Sequence, residues 1–84
     1  MRVRTLFFGM LKDIVGRDRD ELDLPEGSAV SDILAHYDSH VPGLKAVLPS
    51  VALAVNQQYA RPETKLNAGD EIALLPPVSG GAAQ

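Results

Sequence analysis

Hydrophobic and polar positions alternate along several short segments of the chain, and this two-residue period is typical of half-buried β-strands. A glycine, a proline or a cluster of polar residues follows each segment, which indicates where each strand ends. The pattern predicts strands at residues 3–8, 21–24, 51–55, 64–66 and 71–75.

The alternation also predicts which face of the first strand is buried. Val3, Thr5 and Phe7 share one face, and we assign that face to the core. Leu6 and Phe8 then lie on the opposite face, which points to solvent. An aromatic and an aliphatic side chain on a solvent-facing surface need an explanation other than core packing.

One segment has the period of a helix instead. Its apolar residues recur at i, i+3, i+4, i+7 and i+11, so they form one stripe that can pack on a sheet. The stripe consists of Val30, Ile33, Leu34, Tyr37 and Val41. Ser28 is the predicted N-cap, and Pro42 and Gly43 end the helix.

A shorter helical turn is predicted over residues 10–15. Its apolar residues Met10 and Ile14 are expected to point inward, with Leu11 and Val15 as further candidates. Gly16 follows the turn and is expected to close it, because glycine adopts the left-handed conformation at a helix C-terminus without a steric penalty.

The order of the predicted elements is strand, strand, helix, strand, short strand, strand. A hairpin followed by one helix that covers one face of a mixed sheet is the β-grasp, or ubiquitin-like, arrangement. We therefore predict an α+β fold with a mixed sheet of four to five strands, one main helix on one face and an extended C-terminal tail.

The first and last strands are neighbours in such a sheet. In the last strand, Ile72 and Leu74 are assigned to the core, and Ala73 and Leu75 to the open face. Together with the exposed apolar residues of the first strand, they would form a patch of the kind that marks a docking surface. The alternative is that residues 9–16 or the tail cover the patch.

Composition limits the possible functions. The 84 residues allow one small domain, and the absence of cysteine excludes disulfides, thiolate metal sites and a cysteine nucleophile. A net charge of −3 argues against binding to nucleic acid or to an anionic membrane. No stretch has the pattern of a signal peptide or a membrane span, so a cytoplasmic location is expected.

The polar residues offer weak candidates for chemistry. Asp32, His36 and His40 are spaced by four residues along the helix and could share one face. We expect solvated side chains rather than a metal site. A closed zinc site needs four ligands, and no further ligand is placed to converge with these three residues. The chain also lacks a phosphate-binding loop motif, so it is not expected to activate ATP by itself.

The C-terminal residues differ from the rest and predict an extended arm. We assign residues 1–75 to the folded domain and residues 76–84 to the tail. Pro76 and Pro77 restrict the backbone and remove two hydrogen-bond donors, so the chain leaves the sheet there. Gly80 and Gly81 then carry no side chain, so a narrow channel in a partner could admit the tip of the tail.

These segments carry a resemblance to a known family. Residues 74–81, Leu-Leu-Pro-Pro-Val-Ser-Gly-Gly, resemble the C-terminal signature of the MoaD family, the small sulfur-carrier subunits of molybdopterin synthase. Four shorter segments resemble the family at matching places, so that the resemblance covers residues 2–81. They are residues 6–8, 11–16, 55–56 and 69–72. The resemblance implies a role in molybdenum cofactor biosynthesis.

The resemblance also implies a mechanism. An E1-like adenylyltransferase would use ATP to adenylate the carboxylate of Gly81, which is ionised at pH 7 and is a poor electrophile. A sulfur donor would then convert it to a thiocarboxylate. The tail would enter the large subunit of molybdopterin synthase, which transfers the sulfur to the pterin precursor. The chain itself would be a non-catalytic carrier that binds no cofactor.

The site residues that the resemblance implies form two groups. Gly81 carries the reacting group, and Gly80 precedes it where any Cβ would crowd the channel. The partner-binding residues are Phe8, Leu75, Pro76, Pro77, Val78 and Ser79.

The chain departs from the family pattern at its end. The working tail of the family ends at the second glycine, whereas residues 82–84 follow it here. Trimming by a protease, residues added to the natural chain, and a homologue that has lost the carrier chemistry are three explanations. Proteolytic trimming to Gly81 is the hypothesis that we prefer.

Other functions stay open at this point. A carrier of this type could serve thiamin, cysteine or tRNA thiolation instead of molybdopterin. A ubiquitin-like modifier would join Gly81 to lysines of target proteins. A binding module with an inert tail would use the fold and the docking surface alone.

Overall fold

Strands and helices follow one another along residues 1–76, the part of the chain that the computed structural model describes. The elements are β1 at Arg2–Phe7, α1 at Met10–Val15, β2 at Arg19–Asp23, α2 at Val30–His40, two 3₁₀ turns at Pro42–Leu44 and Leu48–Ser50, β3 at Ala52–Val55, β4 at Gln58–Tyr59 and β5 at Glu71–Leu75.

The first and last strands are parallel neighbours at the centre of the sheet. Within residues 1–76 the five strands form one sheet in the order β2-β1-β5-β3-β4. β1 pairs with β5 in parallel, and the other three pairings are antiparallel. This mixed sheet with one main helix is the β-grasp arrangement, so the predicted fold class is confirmed.

The core contains the inward-facing residues of the central strands. Val3 and Phe7 of β1 and Ile72 and Leu74 of β5 are all buried, as the alternation predicts. The predicted stripe of α2 also packs into this core. Its buried members are Val30, Ile33 and Tyr37, and its partly buried members are Leu34 and Val41.

Tyr37 ties the helix to the first strand through both its ring and its hydroxyl. The ring meets Phe7 edge-on with centroids 5.1 Å apart. The hydroxyl lies 2.8 Å from Thr5 Oγ1 and donates to Asp20 Oδ2 at 3.0 Å. Thr5 therefore sits among apolar residues without an unsatisfied hydroxyl.

The prediction for the short helix is partly wrong. Leu11 is fully buried, but Met10 is 44% exposed rather than inward-facing. Met10 is the first residue of α1, and the helix turns Leu11 and, in part, Ile14 towards the core. Gly16 closes the helix in the left-handed conformation with φ +88°, as expected.

The main helix begins one residue later than predicted. Its N-cap is Ala29, whose N–H donates to the carboxylate of Asp32 at 2.8 Å. Ser28 instead donates its hydroxyl to the carbonyl of Pro25 at 2.7 Å. Ser28 therefore stabilises the preceding turn, and the prediction that it caps the helix is wrong.

The brief strand predicted at residues 64–66 is also wrong. Lys65 forms a single bridge with Ala29, and the neighbouring backbone bonds run to the start of α2. The short fourth strand is Gln58–Tyr59. Local alternation does not distinguish a strand that joins the sheet from an extended segment that pairs with a helix terminus.

Candidate functional site

The open face of the sheet carries a shallow apolar depression of about 260 Å³. β5 crosses its centre, with Ala73 opposite Ala54 of β3. The small side chains at these two positions form the floor of the depression, and larger side chains form its rim. We call the lining residues the apolar patch, and they are Phe8, Ala54, Gln57, Tyr59, Ala73 and Leu75.

The aromatic residues of the apolar patch are exposed. Phe8 is 43% exposed and Tyr59 is 84% exposed, while Leu75 between them is half-buried. α1, which follows Phe8, does not cover it, so the alternative in which residues 9–16 bury the patch is wrong. Exposed aromatic rings around a shallow apolar centre are typical of a protein-docking surface.

The tail begins at the edge of this patch. Pro76 lies against Gly9, whose φ of +55° favours glycine. A Cβ on Gly9 would lie 2.8 Å from Cγ of Pro76, so the missing side chain makes room for the proline ring. The tail therefore starts beside Phe8, the residue that precedes Gly9. The remaining tail residues, 77–84, lie outside the described part. They include the predicted site residues Pro77, Val78, Ser79, Gly80 and Gly81.

Sequence reasoning missed the contribution of β4. A two-residue turn at Asn56 and Gln57 joins β3 to β4 and pairs Tyr59 with Ala54. This hairpin brings Gln57 and Tyr59 to the same face as Phe8. The signal was present, because an asparagine at the start of a short polar turn favours a tight hairpin.

The other half of the open face is charged. Arg2 forms ion pairs with Glu21 and Asp23, each at 3.0 Å, and Arg4 lies 3.6 Å from Glu71. The hydrogen bond from Arg2 lowers the pKa of Asp23. These side chains satisfy one another, so the apolar patch is bounded on this side by a polar surface.

The polar candidates on α2 do not converge on one point. The carboxylate of Asp32 accepts the N–H of Ala29. His40 Nδ1 lies 2.7 Å from the carbonyl of His36, and the two rings stack at 4.2 Å. Among residues 1–76, no group of three or more potential ligands is placed to hold a metal ion.

The described residues can therefore bind a protein surface. Their polar groups pair with one another, and the exposed apolar groups collect around the start of the tail. In the same part of the chain, no helix has the length and the apolar character that a membrane crossing requires.

Comparisons with known proteins agree on one family. The pattern of the ThiS family matches residues 5–81. The molybdopterin synthase sulfur carrier subunit of Chlamydomonas reinhardtii is 35% identical over 83 residues, which is 96% of this chain and 100% of that protein.

Solved structures of the same fold include two informative ones. SAMP1 (small archaeal modifier protein 1) of Haloferax volcanii superposes with a TM-score of 0.85 at 26% identity, covering 96% of this chain and 100% of that one. Subunit 1 of the molybdopterin-converting factor of Helicobacter pylori 26695, solved in complex with subunit 2, superposes with a TM-score of 0.72. It is 32% identical and covers 96% of this chain and 100% of its own.

Proposed function

The chain belongs to the ThiS family, among the molybdopterin synthase sulfur carrier subunits, and from this membership we propose that it carries sulfur on the carboxyl group of Gly81. One observation carries the proposal. β5 leads directly from the exposed apolar patch into the tail, so the surface that binds a partner and the segment that reacts are joined at Pro76.

The composition of the chain supports a carboxyl group as the sulfur carrier. There is no cysteine, so a persulfide on this chain is excluded and the sulfur needs another point of attachment. A carboxylate is ionised at neutral pH and resists nucleophilic attack until it is activated. We propose that an E1-like adenylyltransferase joins the Gly81 carboxylate to AMP from ATP, releasing pyrophosphate. A donor then supplies sulfur at the sulfide level, which forms the C–S bond of the thiocarboxylate and displaces AMP.

The apolar patch is proposed to dock on the large subunit of molybdopterin synthase. The complex of subunits 1 and 2 in the Helicobacter pylori relative supports a partner of this kind. Phe8 and Leu75 would anchor the contact, as the resemblance implies, and Tyr59 would join them. The tail would extend from Pro76 into the partner, whose catalytic groups would transfer the sulfur.

Residues 82–84 must be removed before this chemistry can occur, because Gly81 is otherwise an internal residue. The match to the family ends at Gly81, three residues before Gln84, which supports Gly81 as the working terminus. We propose that a protease trims the chain to this residue in the cytoplasm.

A protein modifier is the second candidate function, and the likeness to SAMP1 favours it. Both functions begin with the same activated carboxyl group. They differ in the group that attacks it, which is a sulfur atom for the carrier and a lysine amine for the modifier. Conjugates of higher mass in a cell extract would support the modifier.

The experiment compares three forms of the chain with a matched E1-like enzyme, ATP and a sulfur donor. We expect the form that ends at Gly81 to gain sulfur in place of oxygen, and to lose it when the large subunit and the pterin precursor are added. The full-length chain and a Gly81→Ala variant of the trimmed form are the controls. Equal sulfur incorporation at Gln84 of the full-length chain would contradict the proposal.

A further inference from the structure

Two segments that are distant in the sequence meet at one end of the sheet. Asn56 Nδ2 donates to Asp70 Oδ1 at 2.9 Å, and Asn56 Oδ1 accepts the N–H of Glu71 at 3.0 Å. The second carboxylate oxygen of Asp70 accepts the N–H of Asn67 at 2.8 Å. Both ends of the Asn56 amide are therefore used, and each has a different partner. We call this set of contacts the Asn56–Asp70 network.

The network holds a turn that needs support. Asn56 and Gln57 both have positive φ, at 51° and 71°, which is the geometry of a two-residue type I′ hairpin turn. Asparagine tolerates this conformation, but a glutamine there is strained. Such strain persists only where the surrounding structure fixes the backbone. The hydrogen bonds of Asn56 to the start of β5 supply that constraint.

The pairing of β4 with β3 is too short to fix the position of β4 by itself. β3 and β4 are joined by two residue pairs, Val55 with Gln58 and Ala54 with Tyr59. Beyond them, Ala60 donates one backbone bond to β3. A hairpin of this length is marginal in isolation. β3 itself is held against β5 by four residue pairs, and the backbone N–H of Asn56 donates to the carbonyl of Glu71 at 2.8 Å. The side-chain contacts of the turn therefore bear on the placement of the outer strand β4 rather than on that of β3.

The position of the hairpin determines the shape of the apolar patch. Gln57 lies within the turn and Tyr59 two residues beyond it, and both line the depression that Phe8 and Leu75 share. A shift of the turn away from β5 would move the Tyr59 ring relative to Phe8. The side of the patch that β4 forms is thus set by contacts made at the beginning of β5.

We propose that Asn56 and Asp70 are positioning residues for partner docking, which hold Tyr59 and Gln57 in the arrangement that the large subunit binds. Neither side chain lines the apolar patch, so both act through the hairpin. The proposal rests on the proposed function for the identity of the partner. The positioning itself is a property of the free chain and can be tested separately.

A reciprocal exchange of the two side chains provides the test. In Asn56→Asp, the new carboxylate faces the carboxylate of Asp70. In Asp70→Asn, one amide N–H₂ group faces another donor. The double variant satisfies every group again. Its carboxylate at position 56 would accept from the amide at position 70 and from the N–H of Glu71, while the carbonyl of that amide would accept from the N–H of Asn67.

Two readouts are measured on the full-length chain at a temperature where each variant is folded. The first is the affinity for the large subunit, and the second is the ¹⁵N relaxation of the amides of residues 57–59 in the free chain. We expect each single variant to bind about tenfold more weakly or worse, with increased motion in these amides, and the double variant to recover both properties. Ser28→Ala is the control, because it removes a buried side-chain hydrogen bond outside the hairpin and the patch.

Three results would overturn the proposal. Single variants that bind like the original chain would do so, as would an equal loss of affinity in Ser28→Ala. A double variant that regains stability but not affinity would show that the two side chains do not affect binding by positioning the hairpin. If the original chain does not bind the large subunit, the proposed function fails, and the amide relaxation alone decides whether the network positions the hairpin.

Discussion

The inner face of the sheet, which packs against α2, differs sharply from the outer, open face, although the same strands form both. Phe7 is 2% exposed and packs against Tyr37, while the next residue, Phe8, is 43% exposed and faces solvent. The same contrast separates Leu74, which is fully buried, from Leu75, which is half-buried beside the tail. Neighbouring residues of identical type thus occupy opposite environments.

The contrast shows how a small domain separates stability from recognition. Residues on the inner face contribute the apolar burial that holds the helix on the sheet. Phe8 and Leu75 on the outer face are also apolar, but they are only partly buried in the free chain. Since successive side chains of a strand point to opposite faces, one strand can serve both purposes without a loop or an insertion.

The largest effect is expected from the tail. Deleting residues 80–84 should abolish sulfur transfer and leave the thermal unfolding midpoint unchanged, because the domain keeps its core. Deleting only residues 82–84 is the matched control, and this form should support transfer. If the chain that lacks residues 80–84 still performs its function, the tail is inert. The protein would then be a binding module that uses only its fold and its docking surface.

The two adjacent phenylalanines provide the most direct test of the faces. Phe7→Ala should lower the free energy of unfolding by about 3–5 kcal/mol, since it leaves a cavity in the core. Phe8→Ala should change stability little and weaken binding to the large subunit roughly 30-fold, as expected of a central interface residue. Denaturant unfolding and titration calorimetry measure the two effects. Equal destabilisation by both variants would show that the faces are wrongly assigned.

Tyr37→Phe tests the polar contact inside the inner face. It should cost about 1–2 kcal/mol, because the buried Thr5 hydroxyl loses its partner. Burial raises the pKa of Tyr37. Its contribution to stability is therefore complete below the ordinary tyrosine pKa near 10 and is lost as the pH rises above that value. In unfolding experiments, the Tyr37→Phe variant should lack the part of the stability loss above about pH 10 that Tyr37 causes. A pH dependence of stability identical to that of the original chain would contradict this prediction.

The smallest effect is expected at the charged end of the outer face. Arg2→Ala should leave affinity for the large subunit unchanged, because the ion pairs of Arg2 lie outside the apolar patch. Arg2 lowers the pKa of Asp23, so the pair stabilises the fold above the ordinary aspartate pKa and stops doing so as the pH falls through the lowered value. In the variant, the free energy of unfolding should fall slightly less steeply as the pH is lowered through the acid range. A large loss of affinity would extend the docking surface to this end.

Period-two and helical patterns were sufficient for the fold and for the inner face. They predict the central strands, the buried stripe of α2 and the exposure of Phe8. Burial is a local signal in such elements, because each strand or helix must turn its apolar side towards the core. The same patterns failed at Met10 and Ser28, where helix boundaries depend on which nearby group satisfies the first backbone donors.

The docking surface was less accessible to prediction. Phe8 and Leu75 follow from the strand pattern, but Tyr59 reaches the patch only through the hairpin and its pairing with Ala54. The contact between Asn56 and Asp70 joins segments 14 residues apart, and the position of Pro76 depends on the missing side chain at Gly9. These are tertiary relations, and a single sequence contains no periodic signal for them.

The intact mass of the protein isolated from its native cells tests the central claim most directly. The account predicts a species that ends at Gly81, part of which carries one sulfur atom in place of a carboxyl oxygen. A homogeneous chain that ends at Gln84, and that stays unmodified with a matched E1-like enzyme, ATP and a sulfur source, would contradict it. The fold and the docking face would then stand without the carrier chemistry.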